Sequence, residues 1–148
     1  MNRPSAVPAF ADHFSSAAAD FAAARPAYPP DLFAWIGAIA PAHARVWEAG
    51  CGSGQASRDL AKVFSEVFAT DPSAEQIAQA HAPINVSFAA EPAEHCSLAD
   101  ASVDAVCVAK ALHWFDRDAF FAAVAGAWGD AGTCLQLQWP LFVHARRK

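Results

Sequence analysis

Residues 45–55, Arg-Val-Trp-Glu-Ala-Gly-Cys-Gly-Ser-Gly-Gln, constrain this chain more than any other stretch. A short apolar run ends near the carboxylate Glu48, and Gly50, Gly52 and Gly54 follow at alternate positions. Residues Gln55 to Lys62 then have the composition of a helix. A strand, a glycine turn and a helix in that order let backbone N–H groups approach a ligand with no Cβ in the way. The helix N-terminus adds a partial positive charge, and Glu48 adds an acceptor at the strand end. A tight turn holding no ligand has the same local pattern, so the rest of the chain must decide.

The dinucleotide fingerprint Gly-x-Gly-x-x-Gly does not fit, because counting from Gly50 its third glycine falls on Gln55. At 148 residues the chain is predicted to be one domain, and with 55% hydrophobic and 17% charged residues it is globular. A net charge of −5 offers no broad basic field for nucleic acid or an anionic membrane. The basic cluster Arg146-Arg147-Lys148 reads as a solvated tail. Cys51, Cys96, Cys107 and Cys134 form no Cys-x-x-Cys pair and have no histidine at metal-ligand spacing, so no metal is expected. This cysteine usage suits a reducing compartment. Asp12 interrupts the N-terminal apolar residues, and no apolar run approaches the length of a membrane span, so a soluble cytoplasmic protein is expected.

In chain order, Phe10, Phe14, Ala17, Ala18 and Phe21 predict an amphipathic helix to Ala24, broken by the prolines at 26, 29 and 30. Asp31 is the expected cap of a second helix whose buried stripe is Leu32, Phe33, Trp35, Ile36 and Ile39. Alternating strands and helices follow. The strands are read at Val46–Ala49, Val67–Thr70, Val86–Ala89, Val103–Ala109 and Thr133–Gln138. The helices are read at Ser53–Phe64, from a capping box at Ser73–Gln76 to about His81, and at Ala119–Trp128. This alternation specifies a parallel sheet with helices on both faces. Its ligand site lies beyond the carboxyl ends of the strands. Asp71 ends the second strand, 21 residues after Gly50, where an acidic residue bonds ribose hydroxyls; its alternative role is to cap the next helix. The third strand leads to Glu91-Pro92-Ala93-Glu94, and the fourth to Lys110 through Asp116.

The motifs together resemble the class I methyltransferases that use S-adenosylmethionine. They are Arg25-Pro26 with Tyr28-Pro29, Glu-x-Gly-x-Gly-x-Gly from Glu48, Phe68-Ala69-Thr70-Asp71, Pro92-Ala93-Glu94, Asp100 to Asp104, and Ala111-Leu112-His113-Trp114-Phe115-Asp116. The order is most similar to the small-molecule branch that includes trans-aconitate methyltransferases, over about residues 10 to 124. The resemblance implies that S-adenosyl-L-methionine is the cofactor. It implies that the backbone around Gly50, Cys51 and Gly52 faces the methionine part and that Glu48 organises the turn. Asp71 would accept from ribose, Pro72 or Ala93 would lie beside adenine, and Arg25 would reach the cofactor carboxylate. Ala109 to His113 would line the sulfonium and acceptor side, with Trp114 next to the acceptor and His113 as the one candidate base. Many relatives carry an Asp where this chain has Pro92, which leaves the backbone N–H of Ala93 to serve adenine.

Alternatives stay open at several positions. His113 could simply end the fourth strand, Trp114 and Phe115 could belong to the core, Asp116 could cap the following helix, and Arg25 could form a surface ion pair. Cys51 need not be a nucleophile, since methyl transfer requires no covalent enzyme intermediate.

The expected architecture is an α/β, Rossmann-like three-layer sandwich with a mostly parallel sheet, truncated after about the fifth strand. It divides into N-terminal helices (1–44), a cofactor-binding core (45–138) and a divergent tail (139–148). The antiparallel edge hairpin of the family is expected to be missing. The open edge, with Trp128, Leu135, Leu137, Trp139, Leu141 and Phe142 short of partners on that side, then predicts a symmetric homodimer, or higher oligomer, buried around residues 128 to 143. Function is expected to be methyl transfer to a small-molecule acceptor, with a carboxylate among the candidates. The alternative is a catalytically weak cofactor-binding or interaction module lacking its acceptor pocket.

Overall fold

Four short apolar runs form the centre of the sheet, and their order in space differs from their order in the chain. In the computed structural model, residues 28–81, 83–109, 111–128, 133–138 and 142–147 are described, the last two segments as backbone. The strands are β1 (Arg45–Ala49), β2 (Glu66–Asp71), β3 (Val86–Ala90), β4 (Ala105–Ala109), β5 (Thr133–Gln138) and β6 (Phe142–Arg147). They form one sheet in the order β3-β2-β1-β4-β5-β6. All pairings are parallel except that of β5 with β6. The chain runs outward from β1 to β3 and then returns to place β4 on the other side of β1. In sheets with such a reversal, the crevice that takes ligands lies at the carboxyl ends of the strands beside it.

The helices are α1 (Pro30–Ile39), α2 (Gln55–Leu60), α3 (Ala74–Ala78) and α4 (Arg117–Trp128), with a 3-10 turn at Leu112–Trp114. One face of the sheet buries Val46, Val67, Ala69, Ala105 and Cys107 against Leu32, Phe33 and Ile36 of α1 and Ala56 and Leu60 of α2. The other buries Trp47, Ala49, Val106 and Val108 against Ala93, Leu112 and Phe120 and Val124 of α4. Strictly apolar β4 is buried along its whole length, as a central parallel strand must be. Trp47 is fully buried. Its indole N–H donates to Thr70 Oγ1 at 3.0 Å, and its ring packs on Phe120 at 5.8 Å between centroids. Removing such a side chain costs about 3–5 kcal/mol.

The parallel α/β expectation stands, with corrections at the element ends. Pro29 occupies the N-cap position of α1 and Pro30 its first turn, so Asp31 lies inside the helix rather than capping it. Trp35 is 42% exposed and does not belong to the buried stripe. The helix read at Ser53–Phe64 shortens to α2, because Gly54 takes a left-handed φ of 90° and Leu60 to Phe64 close into turns. Val103 and Asp104 precede β4 instead of joining it. There the Asp104 carboxylate accepts from the backbone N–H of Ala44 and of Arg45, pinning the entry to β1.

The capping box is half formed. Ser73 Oγ accepts from Gln76 N, while Gln76 Oε1 is buried with no partner. The sheet was expected to end at about the fifth strand. Instead β6 pairs antiparallel along β5, from Thr133 opposite Arg147 to Gln138 opposite Phe142, so β5 is not an open edge. The expected Phe10–Ala24 helix lies outside the described residues, as does the Trp128 side chain.

Candidate functional site

Sheet register sets what converges at the crevice. Ala49 lies beside Thr70 on one side and Val108 on the other, so Gly50, Asp71 and Ala109 emerge together one residue further on. Gly50, Gly52 and Gly54 have φ of 72°, 59° and 90°, a region that L side chains enter only with strain. The turn is therefore glycine-dependent for its backbone shape before any ligand is considered.

Several bonds lock this turn. Cys51 N donates to Thr70 O at 2.9 Å and Gly54 N to Cys51 O at 3.0 Å. Glu48 is 1% exposed, and its carboxylate accepts from Ser57 Oγ on α2, tying the end of β1 to the helix after the turn. A Cβ built on Gly50 would come within 2.7 Å of Ala111 Cβ and 3.0 Å of the Phe115 ring. The absent side chain of Gly50 makes room for the segment leaving β4.

Asp71 bonds the backbone on two sides. Its Oδ2 accepts from Gly52 N and its Oδ1 from Ser73 N, both at 2.9 Å, and the residue is 7% exposed. It joins the end of β2 to the glycine turn and shapes the approach to α3. The helix-capping alternative is partly realised, although the cap proper is Ser73. A carboxylate offers about four acceptor positions, so these bonds are compatible with also accepting hydroxyls.

The other sequence candidates fall around this centre. Pro72 is half-buried after Asp71, and Ala93 and Ala109 are buried. Cys51 is buried, with its thiol directed to Gly52 O at 3.5 Å. His113 and Trp114 lie in the 3-10 turn and stack at 4.7 Å between centroids; His113 is exposed and Trp114 half-buried. Trp114 and Phe115 pack against the second core, as their alternative reading had it. Asp116 does cap α4, its Oδ1 accepting from Ala119 N at 3.1 Å. Arg25 lies outside the described residues.

Sequence reasoning missed Ser57; Thr70, Glu94 and Phe115 stood within the quoted motifs, but the contacts they make here were not foreseen. Glu94 Oε2 accepts from Asp116 N at 2.7 Å, joining the loop after β3 to the start of α4. Nearby, burial pushes the Cys96 thiol up; the Leu98 backbone opposes this and Glu91 adds to it, which disfavours a reactive thiolate. Among the described residues, no cluster of His, Cys, Asp and Glu could hold a metal ion, and no helix is long and apolar enough to cross a membrane.

A buried carboxylate tied to a three-glycine turn fits a ligand bearing hydroxyl donors and reaching into the crevice. Known proteins resemble the chain in sequence and in fold. A methyltransferase of Dictyostelium discoideum is 35% identical over 113 residues, covering 76% of this chain and 43% of that protein. An uncharacterized methyltransferase of Mycobacterium bovis is 37% identical over 105 residues, covering 70% of this chain and 42% of its own. The chain thus spans less than half the length of these relatives. A solved structure described as a type II methyltransferase from Anaeromyxobacter dehalogenans superposes with a TM-score of 0.74 at 43% identity, over 77% of this chain and 48% of that one. Residues 47–135, more than half of the chain, match the family described as the methyltransferase domain, and the chain belongs to that family, with the Rossmann-like fold of its class I members.

Proposed function

We propose that this chain binds S-adenosylmethionine in the crevice beyond β1, β2 and β4 and directs methyl transfer to a small-molecule acceptor. A carboxylate of the kind taken by trans-aconitate methyltransferases is among the candidates. The observation that carries the reading is the Asp71 carboxylate, buried at the end of β2 and bonded to Gly52 of the turn. Asp71 would hold the ribose hydroxyls, the backbone of Gly50 to Gly52 the methionine part, and the buried Ala93 backbone the adenine. Arg25, on the same resemblance, would reach the cofactor carboxylate.

When bound, S-adenosylmethionine supplies a methyl group already activated on a sulfonium. The residues of this chain then mainly align the partners and exclude water. Ala109 and Ala111 keep the end of β4 narrow, and Trp114 and Phe115 wall the acceptor side. His113 would take a proton from an acceptor that carries one, whereas a carboxylate acceptor needs no base. The dispersed cysteines suit the cytoplasm. Titration calorimetry with S-adenosylhomocysteine and, separately, NAD tests the cofactor: micromolar binding of the first and none of the second is expected, and the reverse would overturn the reading. Turnover with a panel of small carboxylates and hydroxylated acceptors then separates an enzyme from a module that only binds.

A further inference from the structure

A capping box pairs two bonds at a helix N-terminus. The N-cap side chain takes the N–H of the third helical residue, and a Glu at that third position reaches back to the N-cap N–H. On α4 the first bond is present, from Ala119 N to Asp116 Oδ1 at 3.1 Å. The third position is Ala119 itself, which has no acceptor. Its part is taken by Glu94, whose Oε2 accepts from Asp116 N at 2.7 Å across 22 residues of sequence. The box is completed from another loop.

That loop is itself held in place. Ala93 is 2% exposed within the core that contains Trp47, Val108 and Leu112. His95 N donates to Pro92 O at 3.2 Å, and Ser97 N donates to Glu91 Oε1 at 3.3 Å. On the other side, the segment from Ala111 to Asp116 is wound by the bonds Trp114 N to Ala111 O and Phe115 N to Leu112 O. Its Phe115 ring sits against Gly50. The segment is therefore anchored to β4 at one end and to Glu94 at the other.

Resting on the function proposed above, we infer that Glu94 is a positioning residue that fixes the acceptor-side wall, Ala111 to Asp116, relative to the loop proposed to hold adenine. A ligand that orders residues 92–94 then also orders residues 113–116, through one charge-assisted hydrogen bond. A cap serving stability alone would not link the two.

Amide hydrogen exchange on the full chain, with and without S-adenosylhomocysteine, tests this alongside calorimetry. In Glu94→Ala, exchange at residues 114–117 should quicken about tenfold while β1 and β2 stay protected. Affinity for S-adenosylhomocysteine should fall about five- to tenfold, and the ligand should no longer slow exchange at 114–117. Glu94→Gln, whose amide oxygen can still accept, should recover most of both effects. The coupling is overturned if Glu94→Ala keeps wild-type affinity and ligand-induced protection at 114–117. Failure of the wild type to bind S-adenosylhomocysteine would instead refute the cofactor reading. The positioning claim is then decided by the ligand-free exchange, and an unchanged rate at 114–117 in Glu94→Ala overturns it.

Discussion

At the scale of single residues, Asp71 holds backbone at the end of β2 besides its proposed contact with ribose. Asp71 bonds Gly52 N and Ser73 N, so Asp71→Ala removes acceptors from two buried donors and should cost about 1–3 kcal/mol of folding stability. The same substitution should weaken S-adenosylhomocysteine binding by about 1.5–3 kcal/mol through lost charge-assisted bonds. Asp71→Asn separates the effects, because it keeps one acceptor oxygen but not the charge. Denaturant unfolding paired with calorimetry should show Asn losing more affinity than stability. Equal affinity of a folded Asn variant and the wild type would remove Asp71 from the ribose site. Gly52, at φ 59°, allows a second check. A β-branched residue there would confuse strain with ligand exclusion, so Gly52→Ala is the cleaner change, with a backbone cost of about 1–2 kcal/mol. Loss of at least tenfold in affinity beyond that destabilisation is expected. A folded variant that binds normally would show that the turn does not cradle the ligand.

At the scale of elements, α4 is capped at both ends by distant loops. Its last carbonyls receive Ala101 N to Gly126 O at 2.8 Å, and Ser102 N and Val103 N to Ala127 O at 2.8 and 3.1 Å. Ala101 reaches them with φ 52°, the one positive φ outside glycine among the described residues. Ala101→Gly relieves that strain but gives the unfolded chain more freedom, so a net gain of about 0.5–1 kcal/mol is expected. A lower thermal midpoint would mean that the alanine methyl contributes packing that outweighs the strain.

These elements also show what was legible in the sequence. Apolar runs bounded by polar residues placed β1, β2, β3 and β4 to within two residues, because strand period and burial are local properties. The Gly50–Asp71 spacing marks two strand ends that the structure brings together, with Gly52 N donating to Asp71 Oδ2. Trp35 was misread because helical spacing alone does not say where a buried face ends. Ser57 and the bond between Glu94 and Asp116 became visible only when the sheet order brought separate loops together. The sixth strand, β6, was missed because its residues alternate poorly and its reason for being a strand is β5.

At the scale of the molecule, β6 changes the expectation for assembly. The sequence predicted an exposed β5 and hence a homodimer around residues 128 to 143. Pairing along β5 from Thr133 to Gln138 satisfies the backbone groups of the edge that was expected to be open, one of the two grounds of that prediction beside its apolar side chains. The outer edge passes to β6, whose sequence includes His144, Arg146 and Arg147. Charged residues on an edge strand discourage a second copy from adding to it. The chain should therefore sediment as a monomer at micromolar concentration. Ending it after Gln138 should expose the β5 edge and produce association, at a loss of ladder hydrogen bonds each worth about 0.5–1.5 kcal/mol net. Sedimentation velocity on both forms decides the matter. A dimeric 148-residue chain would restore the edge around residues 128 to 143 as an interface between copies. A shortened chain that stays monomeric and folds cooperatively would show that β6 does not protect the β5 edge.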